Sequence, residues 1–130
     1  MDSPQTLTGS CLCGGVRYRV TGPLRPIIAC HCSQCRKTSG SYVLATSCPL
    51  ERFELISDET LSWYRASETA ERGFCSRCGG NLFWKADGED RISLFAGCLD
   101  GETGLEIAAQ WYVSDKSDFV KIDPDLPQGP

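Results

Sequence analysis

The sequence is poor in the residues that would place it in several familiar classes. It has one histidine and one methionine in 130 residues. A metal centre built mainly from imidazoles is therefore excluded. No apolar run approaches the ~18 residues of a membrane-crossing helix. The opening segment, MDSPQTLTGS, has neither a basic stretch nor an apolar core, so no secretory leader is expected and a cytoplasmic location is. Basic residues are in deficit, 13 against 17 acidic, for a net charge of −4. Binding to nucleic acid leans on a positive footprint that this chain lacks. Charged residues at 23% and hydrophobic ones at 41% exclude disorder along the whole chain. The length predicts a single domain over 1–130, with a core over about 8–122 and an extended tail at 123–130.

What the chain has instead is cysteine, nine in all. An odd number cannot pair fully within one chain, and reducing compartments disfavour disulfides. Metal or thiol chemistry is the leading reading. Seven of the nine fall in three groups: Cys11-Leu-Cys13, Cys30-His-Cys32-Ser-Gln-Cys35 and Cys75-Ser-Arg-Cys78. The first and third are each followed by a glycine pair, Gly14-Gly15 and Gly79-Gly80. A metal knuckle turns backbone amides towards its thiolates, and glycine permits the dihedrals that this needs. The two Cys-Gly-Gly units thus read as halves of one site. They supply the four thiolates of a structural zinc. Disulfides and free core thiols are the plainer alternatives.

The middle group has no glycine pair. Three thiol ligands leave one tetrahedral position open, the pattern of a catalytic zinc. Arg36 and Lys37 follow directly and are expected to favour thiolate. His31 alternates away from its neighbours if the segment is extended. It remains a candidate fourth ligand, which would make this a closed site. Redox thiols without metal are a further alternative. With both metals bound to thiolates the net charge becomes about −7, which further disfavours nucleic acid. Cys48 and Cys98 lack ligand spacing and read as small buried hydrophobes.

Between the cysteines the pattern is of short strands. Val16–Val20 alternates apolar with basic. Runs at 52–56, 61–65, 81–84, 92–96 and 109–113 also read as strands, with Gly, Pro, Asp and Ser between them. Short helical turns are expected after Cys35 or near 114–119. Trp63, Trp84 and Trp111 fall in strand patterns and are expected in the core.

Three ordered segments then carry a resemblance. They are Gly9-Ser10-Cys11-Leu-Cys13-Gly14-Gly15-Val16, Cys30-His31-Cys32-Ser-Gln-Cys35-Arg36-Lys37-Thr-Ser39-Gly40 and Arg72-Gly73-Phe74-Cys75-Ser-Arg-Cys78-Gly79-Gly80-Asn-Leu82-Phe83-Trp84. With Leu94–Asp100 and Gln110–Val113 they resemble the glutathione-dependent formaldehyde-activating enzyme family. The resemblance implies a mainly β, Mss4-like fold of packed antiparallel sheets with loop-borne zinc sites. It implies structural zinc on Cys11, Cys13, Cys75 and Cys78, and a zinc associated with catalysis on Cys30, Cys32 and Cys35. It also implies a carbon–sulfur lyase-type activity, S-(hydroxymethyl)glutathione synthesis, on a small thiol and an aldehyde. Arg36, Lys37 and Arg72 are candidate readers of the thiol's carboxylates. Cys98 lies where similar sequences often carry a small hydroxyl residue. Two other classes stay open: a binding module with two closed zinc sites, and a thiol redox protein, since the Mss4-like fold also hosts methionine sulfoxide reductases.

Overall fold

The computed structural model describes residues 5–130; residues 1–4, part of the segment read above for a leader, lie outside it. The chain is mainly β, and its strands form two sheets. Strands β1 (Thr6–Ser10), β2 (Val16–Thr21) and β5 (Phe53–Asp58) make a three-stranded antiparallel sheet in the order β1-β2-β5. The other strands are β3 (Ile27–Cys30), β4 (Val43–Pro49), β6 (Leu61–Arg65), β7 (Ala70–Cys75), β8 (Asn81–Ala86), β9 (Arg91–Phe95) and β10 (Ile107–Trp111). They form a seven-stranded sheet, β10-β3-β4-β9-β8-β7-β6. One pair departs from the expected antiparallel pattern: β10 runs parallel to β3. These strands are distant in sequence, so no hairpin fixes their relative direction.

The core lies where the two sheets face each other. Alternation in β2 puts Val16, Tyr18 and Val20 inside and Arg17 and Arg19 outside, as the sequence pattern demands. Opposite them stand Cys48, Leu82, Phe83, Ile92 and Leu94 from the large sheet. Phe83 is the hub. Its ring meets Tyr18 and Phe53, each at 5.3 Å between centroids, and stacks on Trp63 at 6.0 Å. Edge-on aromatic packing of this kind adds about 0.5–1.5 kcal/mol per pair beyond area burial.

The single α-helix among the described residues, α1 (Ser33–Ser39), follows β3 directly. Cys32 is its N-cap, its sulfur accepting from the Cys35 N–H at 3.3 Å. Gly40 closes it with a positive φ of 88° and an N–H bond to the Arg36 carbonyl. Residues 123–130 do not drift free. The 127–129 stretch lies alongside β10 through Gln110 N–H to Pro127 O (2.9 Å) and Gly129 N–H to Gln110 O (2.8 Å). Among the described residues no helix is long and apolar enough to cross a membrane.

Candidate metal centres and a cleft beside them

The glycine-paired cysteines come together. Cys11 and Cys13 sit on the turn between β1 and β2, Cys75 ends β7, and Cys78 precedes β8. All four sulfurs lie within 4.8 Å of one another and could hold a metal ion. Cys13 Sγ is 3.7 Å from Cys11 Sγ and 3.6 Å from Cys75 Sγ. A regular tetrahedron with metal–sulfur bonds of 2.3 Å has edges of about 3.8 Å, so the spacing fits. Gly14 and Gly79 take positive φ of 82° and 80° immediately after the second cysteine of each pair. Their own N–H groups close the two turns onto the Cys11 and Cys75 carbonyls, at 3.2 and 2.8 Å. Val16 N–H donates to Cys11 Sγ, and Arg77 and Cys78 N–H donate to Cys75 Sγ, each at 3.3 Å.

The electrostatics follow these donors. Burial pushes the Cys75 thiol up, but the Thr60 hydroxyl at 3.1 Å and the two backbone donors outweigh it, holding the thiol at about 5. The Arg77 guanidinium, Nε to Sγ 3.4 Å, lowers the Cys13 thiol. Burial raises Cys11. A set with two thiols favoured as thiolate is suited to a cation.

The middle group forms a second cluster. Cys30 at the end of β3, Cys32 at the helix cap and Cys35 in α1 bring three sulfurs within 4.8 Å. His31 is not among them. Its ring is buried, 2% exposed, and stacks on Tyr42 at 4.7 Å. Its main chain continues the alternation, with Cys30 facing one way and His31 the other. His31 N–H bonds to the Trp111 carbonyl. Burial lowers its pKa, keeping the ring neutral.

The three thiols face a cleft of about 490 Å³. Its walls come from β3 and β4 (Ile28, Val43, Ala45), from β8 and β9 (Trp84, Ser93, Phe95) and from Trp111 and Tyr112 at the end of β10. Trp84 and Trp111 therefore line a cavity rather than the core expected for them. Among the described residues two guanidinium groups, Arg25 and Arg72, line the cleft, and no carboxylate does. Sequence reasoning missed Arg25, which stands alone before Pro26 without any motif. It donates to the Ala45 carbonyl at 2.8 Å.

Arg72 supplies the cation assigned above to Arg36 and Lys37. Those two residues do not line the cleft; Arg36 instead donates to the Asp115 carbonyl at 2.9 Å. Arg72 is 5% exposed. Its Nε donates to Gln34 Oε1 at 2.7 Å, and its Nη2 points at Cys35 Sγ at 3.4 Å. Gln34 passes the contact on, donating to the Ala66 carbonyl at 3.0 Å. The Cys30 thiol as hydrogen-bond partner lowers Cys35 most. Burial opposes it, Arg72 adds to it, and the thiol settles at about 5; Cys30 is pushed up in return.

Cys48 and Cys98 join neither cluster. Cys98 donates to the Asn81 carbonyl at 3.3 Å, and burial raises its thiol to about 11. Asn81 also donates to the Thr38 carbonyl at 2.8 Å, tying the end of α1 to the strand that follows Cys78.

The order and spacing of the two clusters invite comparison with known proteins. Residues 6–115 match the profile of the glutathione-dependent formaldehyde-activating enzyme family. The chain belongs to that family. A Halomonas elongata protein, provisionally named a glutathione-dependent formaldehyde-activating enzyme, is 37% identical over 128 residues, covering 90% of this chain and 81% of its own. A Schizosaccharomyces pombe protein described as an uncharacterized lyase is 29% identical over 111 residues, covering 85% and 80%. A crystal structure of a Rhodobacter sphaeroides protein superposes with a TM-score of 0.62 at 24% identity, covering 75% of this chain and 91% of that one, which supports the fold. Family membership and the lyase-named relative together support an enzyme of the lyase type.

Proposed function

We propose that the protein is a zinc-dependent carbon–sulfur lyase-type enzyme that joins a small thiol to an aldehyde, with S-(hydroxymethyl)glutathione synthesis as its nearest model. The observation that carries this reading is the cluster of three cysteine sulfurs, Cys30, Cys32 and Cys35, on the wall of a cleft that, among the described residues, holds two arginines and no carboxylate. The cleft volume lies within the range of about 300–1,000 Å³ typical of small-molecule sites.

The four-thiolate cluster fits a closed structural zinc, and the three-thiolate cluster fits a zinc with one open position. Zinc bound there would supply Lewis acidity and a resting place for a substrate sulfur. The chain's own residues do the remainder. Arg25 and Arg72 give the cleft a positive interior, which suits a thiol that carries carboxylates. Trp84, Trp111 and Phe95 provide apolar walls that limit bulk water. In the reaction the thiol sulfur forms a bond to the aldehyde carbon. The C=O π pair moves to oxygen, and the proton lost from sulfur ends there as a hydroxyl. No oxidant or reductant is consumed. The reverse sense is the lyase cleavage.

A closed second site would require His31 to leave Tyr42 and turn towards the sulfurs. A redox role for Cys98 would require a thiolate from a thiol held at about 11, whereas one for Cys35, held at about 5, would use a sulfur that the zinc reading assigns to metal. The closed site and the Cys98 arm draw no support from the geometry. A reducing, cytoplasmic compartment suits seven thiolate ligands.

The test is turnover of glutathione with formaldehyde above the spontaneous rate. Cys32→Ser is expected to bring the rate down to background while the four-thiolate cluster keeps its metal. A rate unchanged by that substitution contradicts the mechanism.

A further inference from the structure

We propose that residues 123–130 form a strap that sets the Trp111–Tyr112 wall of the cleft and so determines how bulky a ligand reaches Cys30, Cys32 and Cys35. The inference rests on the reading of the cleft as the substrate site, and it names the element that selects what enters. The strap lies beyond residues 6–115, the segment shared with the family.

Gln110 anchors the strap at both ends. Its buried side chain exchanges two 2.8 Å bonds with Asp123, donating from Nε2 to the carbonyl and accepting the N–H at Oε1. Its backbone pairs with Pro127 and Gly129. The strap thus satisfies the outer edge of β10, which would otherwise expose unpaired N–H and C=O groups.

Contact with the cleft wall is direct. A Cβ added to Gly129 would sit 2.1 Å from Trp111 Cδ1 and 2.2 Å from its Nε1. Only a glycine lets the strap lie flat on the indole. Gly129 does not have a positive φ, so its identity answers a demand for space rather than for backbone conformation. One residue on, the Pro130 carbonyl accepts the Tyr112 N–H at 2.7 Å. Tyr112 holds a left-handed backbone, φ 55° and ψ 44°, unusual for a side chain of its size. The strap bond steadies that conformation and with it the direction of the ring. The turn then runs to Asp115, whose carbonyl takes the Arg36 bond from α1. Trp111 itself is paired with Cys30 across the sheet. The strap therefore reaches the thiol loop through both of its neighbours.

Gly129→Ala and Gly129→Val in the full chain test this directly. The protein as purified is alkylated with a compact and a bulky thiol reagent of the same chemistry, and each cysteine is followed by peptide mass analysis. The strap account expects the bulky-to-compact rate ratio at Cys30, Cys32 and Cys35 to shift severalfold, more for Val than for Ala, with a change in tryptophan emission. The ratio at Cys13, exposed on the other cluster, stays constant and reports that the fold is intact. A ratio unchanged at the three cleft cysteines overturns the inference, and so does an equal shift at Cys13, which marks general loosening. The readout needs no turnover, so its failure is separate from failure of the proposed lyase activity.

Discussion

Arg72 concentrates much of the chemistry of the second cluster. It is a buried cation with no carboxylate partner among the described residues, and two of its nitrogens hold Gln34 and Cys35. Groups that orient metal ligands are worth about 10–100-fold in metal affinity or activity. Arg72→Met is therefore expected to weaken metal at the three-thiolate cluster by a factor of that order, with Arg72→Lys partly restoring it. Metal at the four-thiolate cluster stays bound in both. Titration with a coloured chelator reads the two sites separately; equal loss from both would make Arg72 a general packing residue instead. At this scale the grouping of the cysteines was legible in the sequence, because cysteine spacing and paired glycines are local signals. Arg72 appeared only as a candidate carboxylate reader, and Arg25 not at all, because their neighbours in the cleft lie far off in the chain. Arg36 and Lys37 looked better placed than they are: adjacency in sequence put them beside Cys35, but a helix turns their side chains away from it.

Elements show the same division. β2 was legible because one face meets the core and the other meets water. β4 was hidden. It is a central strand between β3 and β9, and Thr46, Ser47 and Cys48 are buried in succession, so no alternation survives. Its hydroxyls are satisfied locally, Thr46 donating to the Arg25 carbonyl and Ser47 accepting from Arg91. β7 was hidden by Glu71, Arg72 and Gly73, where site chemistry and close packing displace the usual strand residues. Gly73 leaves room for Trp63 to stack on Phe83. The two clusters also differ as elements. One staples the β1–β2 turn to the β7–β8 turn, and the other is confined to a single β3–α1 segment. Structural zinc sites contribute on the order of 10–16 kcal/mol in apparent binding energy. Cys78→Ser is accordingly expected to unfold the chain, whereas Cys35→Ser loses metal and activity with a far smaller fall in melting temperature. Comparable melting temperatures for the two would contradict this assignment.

For the whole molecule, metal held on the proposed clusters would be linked to folding, and pH would enter through the thiolates. Cys75 is held at about 5 in the folded chain against an ordinary value of 9.0. A lowered thiol contributes stability that is complete above the ordinary value and is lost as pH falls through the folded one. The metal-loaded protein is therefore expected to lose melting temperature as pH drops from about 9 towards about 5, with bound metal released over the lower part of that window. A melting temperature that is flat or rising on acidification would contradict the thiolate account. The most direct measurement is the zinc content of the protein purified under reducing conditions, followed by cobalt exchange and addition of glutathione. The account predicts two metal ions per chain, with a visible spectrum that changes on adding glutathione because one site is open. One ion per chain, or two whose spectrum ignores every added thiol, would contradict it.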